Sequence, residues 1–508
     1  MESTTSSAKA LTTAYEWLRQ CMSTHGRCHA LASTNSSTLP SRLIDIGRDG
    51  DTNWSLRIVH EDGLSSKSAP YMTLSYRWGT DPKLILLSSN IAEFRAGKPI
   101  DILPQTFRDF VTVARRFGIQ YVWIDALCII QDSVDDWEAE APTMRHVYAN
   151  SVCTVAASAS NTPEKGMFRY REPKTHPGWA RTVQSSLVTG RPWPCYIFDT
   201  DYWRRQIDGP LLNRGWVLQE RYLSPRVLYF GKSQLLWECA TEHKCESFPR
   251  GVPVELWHKI PSWPLQGLSN ERMSPRRLFD EWNELLREYS VCDLTKSSDK
   301  LFAMVGIVTF LRDISGDEYV AGWWKSSLVE SLDWLVVNPR PLPRINYRAP
   351  SWSWASVDGH LVPAAAHSDE AEMFVQLLDV HVATRGSHTM ANIIEASLVL
   401  KCTIFTATVC HCGEYRRSIL AIDGRQLQMY LYPDTLDIDI SEGKRIVCIP
   451  LKKLHGLKHP EVSFLIAEEV VSGGCNVRRH RRLGVGVLGI EEWERFPVGR
   501  ETTNVTLI

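Results

Sequence analysis

Side chains that could act on a bound ligand occur at three places along the sequence. The first is a run of five residues that ends a β-type segment, and the second is a carboxylate that ends an apolar segment. The third is a Trp–Glu pair with a spacing of four, which places both side chains on one face of a helix. In chain order these residues are Ser75, Tyr76, Arg77, Trp78, Gly79, Asp125, Trp216 and Glu220.

These residue types suit a nucleotide or another small ligand. An aromatic plane can stack on a base, and an arginine can offer two parallel hydrogen bonds to a phosphate. A carboxylate can engage ribose hydroxyls. The sequence therefore predicts one ligand-binding cleft, provided that the fold brings the three places together.

The elements that must position these residues alternate between strands and helices. The predicted order is strand, helix, strand, helix, strand, over Tyr71–Tyr76, Leu103–Phe117, Tyr121–Asp125, Val134–Tyr148 and Val152–Ala157. The strands are almost continuously apolar, which is typical of a parallel sheet covered on both faces. Pro142 is expected to kink the second helix. A further helix, Asn213–Leu223, carries the Trp–Glu pair. Ligands bind at the carboxyl ends of parallel strands, which is where the first two groups of candidate residues lie.

Each candidate also has a structural alternative. Glu220 could form an ion pair with Arg214 or Arg221 and only anchor its helix. Asp125 could cap the following helical turn. The two tryptophans of the set could pack in the core rather than stack on a ligand.

A separate cluster near the N-terminus contains residue types that bind metals. Cys21, His25, Cys28 and His29 lie within nine residues. Structural zinc usually takes its four ligands from two separated pairs, which can surround the ion. We therefore expect no metal site here.

The bulk composition excludes several classes of protein. The formal net charge is −1, which gives no electrostatic reason to expect a nucleic acid partner. The basic run at 478–482 is expected to be a solvated turn before a strand at 483–490. No run of about 18 apolar residues occurs, so no membrane span is predicted. The N-terminus lacks a signal-peptide pattern and the 13 cysteines are scattered, so a cytoplasmic protein with reduced thiols is expected.

The second half of the chain changes character along its length. Helices are predicted at Leu278–Tyr289, Asp299–Leu311 and Ala321–Val337. After residue 360, short β-type runs alternate with turn residues, which predicts an antiparallel β-rich region. Gly484, Gly486 and Gly489 match the spacing of a dinucleotide-binding loop, but no helix is expected after them, so the match is weak.

Several blocks of the sequence resemble the fungal heterokaryon-incompatibility (HET) domain. The blocks are YMTLSYRWG, LPQTF, ARRFGIQYVWIDALCIIQD, VYANSVCTVAAS and RGWVLQERYLSPRVLYF. DKLFAMVGI, YVAGWW and APSWSWAS are similar to segments that commonly follow this domain, so the resemblance covers roughly residues 16–359. Pro142 departs from the continuous helix expected of the family.

The HET blocks are in turn distantly similar to TIR domains. The stretch Trp216-Val217-Leu218-Gln219-Glu220 resembles a TIR motif whose glutamate is catalytic in enzymes that cleave NAD. The resemblance thus implies Glu220 as the candidate catalytic residue and NAD as the candidate substrate. Cleavage of the nicotinamide–ribose bond passes through an oxocarbenium-like state that a carboxylate can stabilise.

The fold class implied is α/β, with a TIR-like parallel sheet flanked by helices, then a helical segment and a C-terminal β-rich region. The predicted divisions are 1–70 (helix and β-hairpin), 71–240 (HET domain), 241–360 (helical extension packing on it) and 361–508 (β-rich region). The family implies an effector of heterokaryon incompatibility and programmed cell death. Two alternatives stay open: a non-enzymatic module that acts by self-association or through a protein partner, and an enzyme of fungal secondary metabolism.

Overall fold

The structure is a computed structural model. It describes residues 2–28, 38–80, 82–171, 180–185, 193–198, 202–252, 272–342, 347–364, 371–385, 390–412, 417–454, 461–470, 478–495 and 502–508. The chain divides into two compact units, Met1–Ser269 and Asn270–Ile508. The division into four parts stays a prediction.

The first unit combines strands and helices. Its strands are β1 (Arg42–Asp45), β2 (Asn53–Ile58), β3 (Tyr71–Ser75), β4 (Lys98–Pro99), β5 (Tyr121–Trp123), β6 (Thr154–Ala156), β7 (Ala180–Ser185), β8 (Trp193–Phe198), β9 (Arg226–Phe230), β10 (Leu235–Cys239) and β11 (His243–Cys245). Its helices are α1 (Ala8–Thr24), α2 (Ile91–Ala96), α3 (Gln105–Arg116), α4 (Asp125–Cys128), α5 (Val134–Glu140), α6 (Met144–Ala149), α7 (Tyr202–Ile207) and α8 (Gly215–Leu223).

One nine-stranded mixed sheet organises this unit. Its strand order is β11-β10-β9-β6-β3-β5-β1-β2-β4, while β7 pairs with β8 separately. The four central strands β5, β3, β6 and β9 are parallel. The strands on either side of them are antiparallel. The predicted α/β fold with a parallel sheet is therefore confirmed at the centre, and the antiparallel edges make the sheet mixed.

The residues of the central elements account for their form. All five residues of β3 are buried, as expected for a strand covered on both faces. In α3, Phe107, Phe110 and Ala114 are buried at helical spacing. The helix predicted at Val134–Tyr148 is interrupted by a 3-10 turn at Ala141–Thr143, because Pro142 has no backbone N–H to continue the helical ladder.

The second unit begins with helices and continues mainly with strands. Its helices are α9 (Pro275–Ser290), α10 (Val305–Ser315) and α11 (Ile490–Glu494). Its strands are β12 (Tyr319–Val320), β13 (Trp323–Trp324), β14 (Leu335–Pro339), β15 (Gly359–Val362), β16 (Glu372–Met373), β17 (Gln376–Thr384), β18 (Ile393–Cys402), β19 (Phe405–Cys412), β20 (Arg417–Ile422), β21 (Arg425–Pro433), β22 (Arg445–Leu454), β23 (Glu461–Val470), β24 (Arg479–Gly489) and β25 (Thr503–Leu507).

Six strands of this unit close into a ring. The order β19-β20-β21-β24-β23-β22 returns to β19, and every pair in it is antiparallel. Apolar side chains such as Phe464 and Met429 fill the interior. Gly484 lies on β24, where an added Cβ would come within 2.2 Å of the carbonyl oxygen of Tyr432. The predicted β-rich region is thus confirmed, and Gly484 has a packing role.

Three expectations for the second unit are wrong. The short helix α11 directly follows Gly489, although no helix is expected there from the sequence; the three glycines themselves lie within β24 and not in a loop. The segment Ala321–Val337 contains short strands and 3-10 turns instead of a helix, because Ala321 and Gly322 both have positive φ. The basic run at 478–482 is not a solvated turn. From Arg479 onward it belongs to β24, and Arg482 is buried. In the described part of the chain, no helix has the length and apolar character needed to cross a bilayer.

Candidate functional site

The candidate residues lie at the carboxyl ends of the central parallel strands. Ser75 is the last residue of β3, and Asp125 begins α4 directly after β5. Strands β5 and β6 lie on opposite sides of β3, so the connections diverge there. This is the topological switch point at which open α/β sheets form a crevice for ligands. Helix α8 brings Glu220 to the same place.

Asp125 is held by hydrogen bonds to both of its carboxylate oxygens. Nε1 of Trp78 donates to Oδ2 at 2.6 Å, and the backbone N–H of Ala126 donates to Oδ1 at 2.7 Å. Burial raises the pKa of Asp125, while the charge of Arg214, the Trp78 indole and the Tyr76 hydroxyl act in the opposite direction. These contacts fix the position of the carboxylate.

Glu220 has a different environment. Its side chain is buried, with 4% of the residue exposed, and its Oε2 makes no hydrogen bond among the described residues. Burial raises the pKa of Glu220 to about 7, although Arg214 and the hydroxyls of Ser75 and Tyr148 lower it. A carboxylate with one unpartnered oxygen can accept a hydrogen bond or stabilise a positive charge on a ligand.

Two arginines near Glu220 have other partners. Nη1 of Arg214 donates to the carbonyl oxygen of Tyr76 at 2.6 Å, which ties the start of α8 to the end of β3. Arg221 donates to both oxygens of Glu238 at 3.1 and 3.0 Å. The charge of Arg214 nevertheless lowers the pKa of Glu220 and Asp125.

The remaining predicted residues lie outside this polar cluster. Arg77 and Gly79 are exposed, and Gly79 has a φ of 80°, which favours glycine at the turn after β3. Trp216 is half-buried and its ring meets Trp137 edge to face, with centroids 6.4 Å apart. The structure thus brings five predicted residues together: Ser75, Tyr76, Trp78, Asp125 and Glu220.

Two further residues belong to the cluster. Tyr148 is buried in α6 and packs edge to face against Trp123. The sequence contained no local signal for Tyr148, because it lies in a helix that precedes β6 rather than at a strand end. The sequence indicates Arg214 only as an ion-pair partner of Glu220, because its contact with Tyr76 depends on the tertiary fold.

Comparison with known families decides what this domain is. The family model described as Heterokaryon incompatibility protein (HET) matches residues 71–220. Residues 71–220 are a HET domain. The match begins at β3 and ends at Glu220, so the HET domain contains the whole polar cluster. No curated protein and no solved structure matches the chain. The HET domain implies a role in heterokaryon incompatibility.

Proposed function

We propose that the HET domain is an effector of the cell death that accompanies heterokaryon incompatibility, and that it acts by cleaving NAD with Glu220. One observation carries the proposal: the Oε2 atom of Glu220 is buried and unpartnered at the carboxyl ends of the parallel strands. A buried polar atom without a partner costs free energy, so its retention points to a ligand.

The chemistry needs one well-placed carboxylate. The C1′–N bond between ribose and nicotinamide breaks, and nicotinamide leaves as a neutral molecule with the bonding electron pair. The ionised Glu220 stabilises the positive charge that develops on the ribose. Water then adds to C1′ and loses its proton, so the products are ADP-ribose, nicotinamide and one proton. No general acid is required for the leaving group.

The environments of the two acidic residues favour Glu220 over Asp125 for this role. Both oxygens of Asp125 accept hydrogen bonds, from Trp78 and from the backbone of Ala126. Asp125 therefore acts as a positioning residue that fixes the loop after β3. Glu220 retains a free oxygen, and its pKa of about 7 leaves a substantial ionised fraction at neutral pH.

The burial of Glu220 adds a condition to the proposal. With 4% of the residue exposed, the ribose can reach its carboxylate only after covering side chains move. Trp78 and Arg214 belong to the cluster and are only half-buried, so they are the side chains proposed to move, at the cost of their hydrogen bonds to Asp125 and Tyr76. A protein partner or self-association would supply the trigger.

The experiment measures NAD and cell survival together. The full chain is expressed from an inducible promoter in a fungal host, and NAD, ADP-ribose and colony survival are followed over time. The variants are Glu220→Gln, which keeps the side-chain volume, and Glu220→Ala. The control is Glu164→Gln, the same chemical change at an exposed carboxylate of the same domain. Thermal melting of each purified variant verifies folding.

We expect NAD loss and cell death with the unchanged chain and with Glu164→Gln. In both Glu220 variants, NAD cleavage should fall by about 100-fold or more. Cell death that persists in Glu220→Ala, or that occurs without NAD loss, would overturn the enzymatic proposal. It would instead support action by self-association. If neither the unchanged chain nor any variant consumes NAD, but the unchanged chain converts another small molecule, the result would support a biosynthetic enzyme.

A further inference from the structure

Four potential metal ligands meet at one place outside the HET domain. Cys21 lies in the last turn of α1, and His25 is the C-cap residue of that helix. Cys28 lies three residues after His25. The fourth residue, Cys239, is the last residue of β10. Their ligand atoms all lie within 4.8 Å of one another, and all four residues are buried. His29, the fourth candidate in the sequence, lies outside the described residues.

The spacing of these atoms suits a tetrahedral ion. Zinc binds sulfur at about 2.3 Å and nitrogen at about 2.0–2.1 Å, so neighbouring ligand atoms are about 3.6–3.8 Å apart. Nδ1 of His25 lies 3.5 Å from Sγ of Cys239 and 4.0 Å from Sγ of Cys28. Such separations leave room for an ion at the centre of the group. All three cysteines are free thiols.

The surrounding residues are those expected around a metal site. Nε2 of His25 lies 3.3 Å from Oε1 of Glu242, so this nitrogen can hold the ring proton while Nδ1 faces the thiols. A carboxylate in this position orients a metal-binding histidine. Nε of Arg226 lies 3.2 Å from Sγ of Cys21, and Oγ1 of Thr241 lies 3.4 Å from Sγ of Cys28. Such donors stabilise thiolates.

We propose that Cys21, His25, Cys28 and Cys239 bind a structural Zn²⁺ ion. Three sulfur ligands and one imidazole favour zinc over the harder cations, and four protein ligands leave no position for a substrate. The expectation of no metal assumes that all ligands come from residues 21–29. The fold removes that restriction, because β10 supplies a ligand from a distant part of the chain.

The ion would connect the two segments that flank the HET domain. Cys21, His25 and Cys28 precede the match at 71–220, and Cys239 follows it. Trp17 of α1 already donates from Nε1 to the carbonyl oxygen of Pro249 at 3.1 Å, so the two flanking segments are in contact. The zinc would link the C-terminal end of α1 to the end of β10 and thereby stabilise the first unit.

The experiment measures metal content on the purified full chain. The chain is produced with zinc in the medium, dialysed against metal-free buffer and analysed by plasma mass spectrometry. The variants are Cys239→Ser and His25→Ala. The matched control is Cys245→Ser, a buried thiol on β11, the strand paired with β10. A Glu242→Gln variant tests the positioning residue and should weaken zinc affinity by about 10–100-fold.

We expect about one zinc per chain in the unchanged protein and in Cys245→Ser, and almost none in Cys239→Ser. Replacement of zinc by Co²⁺ should give the intense visible bands of a tetrahedral thiolate site. This spectrum needs only the unchanged chain, so it decides the matter even if the variants fail to fold. A chain that is zinc-free as purified and gives no such spectrum with Co²⁺ would overturn the proposal. Zinc retained in full by Cys239→Ser would overturn it as well.

Discussion

Trp78 donates a hydrogen bond from its indole Nε1 to Oδ2 of Asp125 at 2.6 Å. This bond joins the loop after β3 to the first residue of α4, two segments that lie far apart in the sequence. Both residues are half-buried, and the other carboxylate oxygen of Asp125 accepts from the backbone N–H of Ala126. The tryptophan therefore serves as a hydrogen-bond donor rather than as core packing alone.

We expect Trp78→Phe to destabilise the first unit. Phenylalanine keeps an aromatic ring but has no N–H, so Oδ2 of Asp125 loses its donor, at a cost of about 1–3 kcal/mol. The measurement is the urea concentration at the unfolding midpoint of the full chain, recorded with a spectroscopic signal that reports on the first unit. Trp216→Phe is the matched control, because the Trp216 ring makes an edge contact with Trp137. An equal effect of both substitutions would show that the hydrogen bond to Asp125 adds nothing.

Stability should depend on pH through Glu220. Its pKa rises on folding from 4.5 to about 7, so in this range the folded state keeps a proton that the unfolded state has lost. The contribution is complete below pH 4.5 and is lost as the pH rises through about 7, with a total of about 3 kcal/mol. Glu220→Gln cannot ionise, so its stability relative to the unchanged chain should increase from pH 5 to pH 8.

The measurement is the difference in unfolding free energy between the two forms at several pH values. The difference cancels the titration of groups that the substitution leaves unchanged. A constant difference across the range would mean that Glu220 ionises in the folded protein as readily as in the unfolded chain. The control Glu164→Gln, at an exposed carboxylate, should show no such trend.

The local pattern of the sequence predicted much of the first unit. The apolar run of β3, the helical spacing of α3 and the break at Pro142 depend on neighbouring residues, and all three are confirmed. The meeting of Ser75, Asp125 and Glu220 follows from the rule that parallel strands end at one edge of a sheet. The hydrogen-bond partners of these residues do not follow from that rule, because the partners depend on how side chains pack across the fold.

Features that depend on distant contacts could not be predicted. The carbonyl oxygen of Gly322 accepts hydrogen bonds from Trp282 and Trp354, which fixes a turn where local spacing indicated a helix. The approach of Cys239 to Cys21 and Cys28 is equally invisible in a linear sequence. Such contacts form only when the sheet and its covering helices have assembled.

The pair Arg221–Glu238 should be important for the stability of the first unit. Glu238 is 1% exposed, and its burial is offset by Arg221 and His243, which together hold the pKa of Glu238 below its usual range. Arg221→Met leaves this carboxylate without its main partner and should cost about 3–5 kcal/mol. The double variant Arg221→Met/Glu238→Gln should recover part of that loss, because no unpaired charge remains. Thermal unfolding of both forms measures this, and a double variant no more stable than the single one would contradict it.

Arg482 should have a comparable role in the second unit. On β24 its side chain is buried and donates to both oxygens of Asp434, at 2.7 Å from Nε and 3.0 Å from Nη2. It also donates to the carbonyl oxygens of Leu332 and Trp334, and its guanidinium lies 3.6 Å from the centre of the Trp334 ring. Arg482→Met leaves Asp434 buried and several acceptors unpaired, so we expect a loss of about 3–5 kcal/mol.

Arg481 provides the control for this prediction. Arg481 directly precedes Arg482 in β24, so its side chain lies on the other face of the strand. There it is exposed and forms an ion pair with Glu468. An exposed ion pair contributes about 0–1 kcal/mol, so Arg481→Met should change stability little. Unfolding of the full chain, followed by tryptophan fluorescence in denaturant, compares the two variants. Similar midpoints for both would mean that the buried contacts of Arg482 do not stabilise the second unit.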